Sequence, residues 1–167
     1  MSDNDIERRV LAALDATGVP YEVIECDPDF ADTFPFSEKY GYPVAMSANT
    51  IVVASKGDPK QYVACIVLAT SRVDANNTAK RWMGVLKVSF AGPDETTELT
   101  GMMIGGVTPL ALPDDLPILV DPSVFRKDEV IVGGGSRSMK IKVSPKVFEQ
   151  LPNTHVVEGL SMPLGGN

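Results

Sequence analysis

The stretch Thr50-Ile51-Val52-Val53-Ala54-Ser55-Lys56-Gly57-Asp58-Pro59-Lys60-Gln61-Tyr62-Val63-Ala64-Cys65-Ile66-Val67-Leu68-Ala69 decides the fold class. Residues 50–54 and 62–69 are apolar runs rich in β-branched side chains. Between them, Lys56-Gly57-Asp58-Pro59 is strong turn chemistry. The pair reads as a β-hairpin. Working outward toward the N-terminus, residues 21–24 read as a short strand. Asp3 or Asn4 can cap a first helix that carries Ile6, Val10, Leu11 and Leu14 on one face and ends at Gly18. Residues 26–35 form a loop rich in Asp and Phe, and residues 36–42 hold a brief helix stopped by Gly41 and Pro43.

Toward the C-terminus, Asp74 can cap a helix through Lys80, Arg81 and Trp82, with Gly84 just beyond it. Residues 86–90 alternate as a half-buried strand. Pro93 opens a short helix with Asp94 and Glu95 at its positive end, and Gly101 closes it. Strands are expected at 118–120, 129–132 and 139–143, with a turn or short helical piece at Asp121-Pro122-Ser123. Ser144-Pro145 begins a last helix holding Val147, Phe148 and Leu151. Signals after Pro152 are weak, and Gly165-Gly166-Asn167 is expected to fray. About seven strands interrupted by short helices, with no repeat or linker, argue one α+β domain over residues 1–167.

Composition narrows the function. A chain of 167 residues supports one core, and 44% hydrophobic with 22% charged residues is ordinary for a globular protein. No apolar run approaches a membrane span, and residues 1–9 are polar rather than signal-like, so a cytoplasmic protein is the expectation. Cys26 and Cys65 form no CxxC or zinc pattern, so neither a disulfide scaffold nor a metal site is indicated. A net charge of −7 counts against general DNA or RNA binding but allows a grip on the tip of an RNA through a local basic patch.

Chemistry concentrates in Thr100-Gly101-Met102-Met103-Ile104-Gly105-Gly106-Val107-Thr108-Pro109. The Gly-Gly step permits positive φ and leaves no side chain in a ligand's way, while Pro109 biases Thr108 toward an extended backbone. The stretch reads either as a plain turn or as a stiff loop whose N–H groups hold a carbonyl, hydroxyl or phosphate oxygen.

The order of these pieces resembles the YbaK/prolyl-tRNA synthetase-associated domain family of trans-editing aminoacyl-tRNA deacylases, over residues 21–151. The similarity is carried by Leu99-Thr100-Gly101 followed by Gly105-Gly106-Val107-Thr108-Pro109, which is similar to the family's G-x-x-x-P loop. Pro117-Ile118-Leu119-Val120-Asp121, Glu129-Val130-Ile131-Val132-Gly133-Gly134-Gly135 and the Ser144-Pro145 helix add to it. The resemblance implies a mixed, partly closed β-barrel with flanking short helices. A pocket at one end would hydrolyse the ester at the 3′ end of a mischarged tRNA, without a cofactor. It implies substrate contacts at Gly101, Gly105, Gly106, Val107, Thr108, Pro109, Asp121, Gly133, Gly134 and Gly135, and catalytic positions at Asn49 and Thr50. The partners implied are an aminoacyl-tRNA 3′ end and an aminoacyl-tRNA synthetase, with no membrane.

The chemistry fits such a loop. Ester hydrolysis builds negative charge on the carbonyl oxygen, and pre-oriented N–H groups stabilise that charge. The ester is already activated, so positioning and water exclusion carry much of the work. No Ser-His-Asp set is apparent, and the single histidine, His155, lies in the tail. The family pattern places a lysine where this chain has Asn49, before Thr50-Ile51-Val52-Val53. An amide offers two N–H donors but no charge. Three readings follow: reduced or redirected activity, another cation such as Lys56, Arg72, Arg137 or Lys140 reaching the pocket, or a catalytically silent module that only binds.

The remaining candidates have bland readings beside sharper ones. Cys65 reads as a core residue and Cys26 as an incidental loop thiol. Trp82 either packs on the sheet or stacks on a terminal base. Lys80 with Arg81, and Arg126 with Lys127, are solvated charges or the patch that meets an acceptor stem. Met102 and Met103 fill the base of the loop or touch a small substrate side chain.

Overall fold

The computed structural model describes residues 2–164, so the expected fraying of Gly165, Gly166 and Asn167 lies outside the described residues. Helix α1 (Asp3–Thr17) is capped by Ser2 rather than by Asp3 or Asn4. The Ser2 hydroxyl accepts from the Asp5 N–H, and the Asp5 carboxylate accepts from the Ser2 N–H. This reciprocal capping box satisfies donors that the first turn would otherwise leave open. Ile6, Val10 and Leu14 are buried along one side of α1, and Gly18 ends it at φ 72°. Strand β1 (Tyr21–Glu25) follows. The stretch expected as loop is more ordered than that: a 3-10 turn covers Pro28–Phe30, and α2 (Thr33–Tyr40) begins three residues before the expected Phe36.

The hairpin is β2 (Ala48–Ser55) against β3 (Tyr62–Leu68), antiparallel, with Thr50 opposite Ile66. Then come β4 (Ser71–Val73), a π-helical turn at Ala75–Ala79 leading into α3 (Lys80–Met83), β5 (Val88–Phe90) and α4 (Pro93–Thr100). Leu86 stays outside β5 and is 92% exposed, so the strand expected from residue 86 begins two residues later. The second half supplies β6 (Ile118–Val120), β7 (Val130–Gly133), β8 (Met139–Val143), β9 (Thr154–Val156) and β10 (Ser161–Pro163). The helical pieces at Pro122–Arg126 and Pro145–Gln150 are 3-10 turns, capped by the side chains of Asp121 and Ser144.

The described residues therefore form ten strands rather than about seven. The additional ones, β4, β9 and β10, are three residues each, too short to show an alternating pattern in sequence. Strands pair into a five-stranded sheet in the order β5-β2-β3-β6-β9, a three-stranded sheet β1-β8-β7 and a two-stranded ribbon β10-β4. Pairing is antiparallel except for β3 with β6 and β6 with β9, which makes the large sheet mixed. A parallel bridge between Ser47 and Ile131 links the two larger sheets. The architecture is mixed α+β, and its sheets are not closed on one another.

Side-chain alternation explains the layers. Ala64, Ile66 and Leu68 of β3 join one core with Ile118 and Val120 of β6, Val130 and Val132 of β7, Met139, Ile141 and Val143 of β8, and the buried face of α1. The intervening Val63, Cys65 and Val67 join a second core with Leu119, Ala79 and Leu160. The five-stranded sheet is thus covered on both faces, which is why its hairpin reads as continuous apolar runs. A third cluster, Ile24, Cys26, Ala31, Phe36 and Ile131, lies where α2 covers the other face of the three-stranded sheet. At the open end of that cluster lies the candidate site.

Candidate functional site

The glycine loop sits directly on the end of β7. A Cβ placed on Gly133 would come within 2.5 Å of the Val107 carbonyl oxygen and 2.7 Å of the Gly106 oxygen, both backbone atoms that no rotamer change can move. A Cβ on Gly106 would in turn collide with the Ser136 and Gly135 backbone. The Gly135 N–H donates to the Gly106 carbonyl at 2.7 Å, which ties the two glycine segments together. Gly105 adopts φ 92°, the left-handed region that a side chain disfavours. These glycines permit two backbones to approach each other. Gly106 N–H is itself used within the loop, donating to Met103 oxygen at 2.8 Å, and the loop residues that line the cleft are Ile104, Gly105 and Val107.

Beside this contact lies a cleft of about 310 Å³. Its walls come from α2 and the residues before it (Asp32, Thr33, Phe34, Phe36), from the start of β2 (Asn49, Thr50, Ile51), from Ile104, Gly105 and Val107 of the loop, and from Ile131 and Gly133 of β7. Lys140 of β8 completes it. The size is at the low end for ligand pockets and suits a small acyl group better than a whole nucleotide. Phe34 is 60% and Ile104 45% exposed, so two apolar side chains stand at solvent-facing positions of the cleft lining.

Asn49 accepts a hydrogen bond from the Thr33 hydroxyl at 3.0 Å, which fixes its amide oxygen toward α2 and leaves the amide N–H groups for another acceptor. The Thr50 and Thr108 hydroxyl oxygens are buried with no partner among the described residues. Lys140 is buried against the ring of Phe36, its Nζ 5.8 Å from the centroid, and donates to the Gly105 carbonyl. Burial is the main force on its pKa, pulling it down to about 8. Arg137 acts in the same direction, while Cys26 and Asp32 oppose the shift. Arg137 lies behind the loop, donating to the Ile104 carbonyl at 2.7 Å and to the Pro28 carbonyl at 3.0 Å, and pairing with Asp32 at 3.1 Å.

Of the residues singled out from sequence, Asn49, Thr50, Gly105, Val107, Gly133 and the candidate cation Lys140 meet in this cleft. The others lie elsewhere or behind it. Gly101 caps α4 at φ 76°, and Pro109 lines a separate hollow with Ala13, Leu112 and Leu151. Asp121 accepts from the Ser161 N–H at 3.0 Å and from the Ser123 N–H at 3.0 Å, so its carboxylate joins segments of the fold. Gly106, Gly134 and Gly135 support the loop from below, where a Cβ on Gly134 would meet the Met139 backbone. Lys56 is at the hairpin turn with Leu86 and Lys87, and Arg72 is in β4 opposite Met162.

His155 is not in an irregular tail but in edge strand β9, and its ring lies 5.0 Å from that of Trp82. Cys65 is fully buried, and desolvation pushes its thiol up to about 12. Cys26 is buried near Lys140 rather than in an open loop, and its pKa is raised chiefly by desolvation. Sequence reasoning passed over Thr33, Phe34 and Phe36. The signal was the Asp- and Phe-rich character of the segment running into α2, where Phe36 is buried and Phe34 stays exposed.

A family model for the aminoacyl-tRNA editing domain matches residues 28–151, which includes every wall of the cleft. The chain belongs to the aminoacyl-tRNA editing domain family. Among curated proteins, this editing domain is similar to the multifunctional Ser/Thr-tRNA deacylase ProXp-y of Escherichia coli strain K12. The two are 28% identical over 130 residues, covering 77% of each chain. Among solved structures it is similar to a candidate trans-editing enzyme for prolyl tRNA synthetase, with TM-score 0.77, 26% identity and coverage of 95% of this chain and 97% of the other. A hypothetical protein, APE2540, shares the fold with TM-score 0.81 at 23% identity, covering 92% of this chain and 99% of that one. α1 stands outside the matched residues, yet it packs Ile6 against the glycine segments at Gly101 and Gly135.

Proposed function

We propose that this editing domain is an aminoacyl-tRNA deacylase, hydrolysing in trans the ester that joins a mischarged amino acid to the terminal ribose of a tRNA. The observation that carries the reading is the cleft itself. Asn49 and Thr50, the glycine loop and Gly133 come from three distant parts of the chain and line one small cavity in a domain of the editing family. The ester carbonyl would sit against the loop residues that line the cleft, Ile104, Gly105 and Val107, and the amino acid side chain would occupy the apolar interior. The same reading assigns substrate contact to Gly105, Val107 and Gly133, and a supporting role to Gly101, Gly106, Thr108, Pro109, Asp121, Gly134 and Gly135. Asn49 and Thr50 orient the aminoacyl group.

The two larger sheets are taken as halves of a partly closed barrel, a view supported by the Ser47–Ile131 bridge at their junction. Residues 1–167 are taken as one editing unit acting in the cytoplasm, with a synthetase as partner. Serine and threonine esters are the first substrates to try, because the Escherichia coli relative is named for them. The test is a panel of tRNAs charged with small amino acids, including those two, assayed for release of free amino acid. At least one ester is expected to be cleaved well above the buffer rate. If none is, while a stable aminoacyl-adenosine analogue still binds, the domain is a silent binding module instead.

A further inference from the structure

A positive charge in the cleft would add to what N–H donors can do for a developing oxyanion, and Asn49 cannot provide one. Four other cations could have entered, and the structure separates them. Lys56 belongs to the hairpin turn and Arg72 to β4; neither lines the cleft. Arg137 is committed, with its guanidinium shared among Asp32 and the carbonyls of Ile104 and Pro28. Lys140 remains. It occupies the same face of the three-stranded sheet as Ile24 and Gly133, its register partners on β1 and β7. Gly133 has no side chain, so the space above it is left to the loop, whose Gly106 and Val107 backbone lies there.

We propose that Lys140 is a catalytic residue of this site: its ammonium, entering from β8, holds the negative charge that develops on the ester carbonyl oxygen, a role that Asn49 on β2 cannot fill. This rests on the deacylase reading above. One of the three ammonium protons is donated to the Gly105 carbonyl, which anchors the group at the loop and leaves two for a substrate oxygen. The nearby carboxylate, Asp32, is already paired with Arg137 and so does not neutralise the lysine. Burial beside Phe36 removes competing water, which strengthens any interaction the charge makes. In the step itself, water attacks the carbonyl carbon and the π pair moves onto the oxygen held by Lys140. Collapse of that oxyanion breaks the bond to the ribose oxygen, which takes the proton released by the water. The products are the free amino acid and a tRNA ending in a hydroxyl.

The groups facing Lys140 are Cys26 after β1, Asp32 before α2 and Arg137 before β8, and the balance among them and burial places its pKa at about 8. The working form is protonated, so kcat/KM, which reports the free enzyme, should be full near pH 7 and lost as pH rises through about 8. The experiment measures kcat and KM for the fastest ester of the panel, from pH 6.5 to 9.5, with buffer hydrolysis subtracted. Lys140→Met is expected to lower kcat about 100-fold or more, the scale seen when one oxyanion donor is removed, with KM changed less than threefold. Lys140→Arg keeps a charge that does not titrate, and its residual activity should show no fall across pH 8. A folded Lys140→Met enzyme within tenfold of the parent overturns the assignment. So does a parent kcat/KM, which titrates with the free enzyme, that stays flat or rises across pH 8, a measurement that needs no variant to fold. If the parent enzyme cleaves no ester at all, the deacylase reading fails first and this assignment falls with it.

Discussion

At Gly133 the strand end and the glycine loop meet backbone to backbone, with hypothetical Cβ distances of 2.5 and 2.7 Å to the two loop carbonyls. Gly133→Ala therefore cannot be absorbed by a rotamer change. Overpacking of this kind costs about 1–3 kcal/mol, and for a domain of this size each kcal/mol lowers the melting temperature by roughly 2–4 °C. Because the strain falls on the loop that lines the cleft, deacylation should drop by more than the loss of folded protein explains. Circular dichroism melting beside kcat on the same preparation checks this, and unchanged values of both would remove Gly133 from the site. The glycines were conspicuous in the sequence as two separate clusters, but their contact with each other was not, since nothing local specifies which loop lands on which strand. Lys140 shows the same limit more sharply. Lys140 and Lys142 stand on one face of β8, two residues apart. Lys142 reaches outward to Glu22 at 3.2 Å, while α2 and the loop cover Lys140. Alternation alone reads both as solvent-facing.

Among the elements, seven strands were legible, the three-residue β5 and β6 included, while the three-residue β4, β9 and β10 were not. The hairpin declares itself because both of its faces are buried and its turn residues are unambiguous. β9 and β10 exist because parallel β6 and the ribbon partner β4 offer them hydrogen bonds, a tertiary cause with no trace in local propensity. Asp121 is the fastener in this part of the fold. It follows β6, caps the 3-10 turn after it through the Ser123 N–H and hydroxyl, and accepts from Ser161 at the start of β10. Asp121→Ala leaves these donors without their acceptor in a position only 5% exposed. Hydrogen bonds to a charged group are worth about 1.5–3 kcal/mol each and are not additive, so a loss of about 2–4 kcal/mol is expected. Urea denaturation should show the midpoint falling with little change in slope. The folded fraction should keep kcat and KM within threefold, because Asp121 lies outside the cleft lining. A selective loss of activity without loss of stability would return Asp121 to the substrate.

For the molecule as a whole, the cleft is a meeting of segments from α2, β2, the loop after α4, β7 and β8, joined by the packing of two sheets and not by any contiguous motif. No single stretch could bring these residues together; the family likeness carries the order of all the pieces at once, and of the positions it implies, Asn49, Thr50, Gly105, Val107 and Gly133 line the cleft. Charge is the other whole-molecule property, and it limits how the substrate is held. A net charge of −7 counts against tracking a long run of phosphates. Lys56, Lys80 and Lys87 do gather round a second hollow, but it shares no lining residue with the cleft. If only the single-stranded end of the tRNA is gripped, few counterions are released. The plot of log affinity against log salt should then have a slope of about −1 to −2, since each neutralised phosphate of a single strand contributes roughly −0.7. Replacing Lys56, Lys80 and Lys87 together by Gln should leave that slope unchanged, whereas Lys140→Met should make it shallower only if the ammonium also touches a phosphate. Fluorescence anisotropy with a labelled, uncharged tRNA measures all three. A slope steeper than about −3, or one that flattens when the three lysines are removed, would mean that the body of the tRNA lies across the second hollow and that recognition extends well beyond the ester.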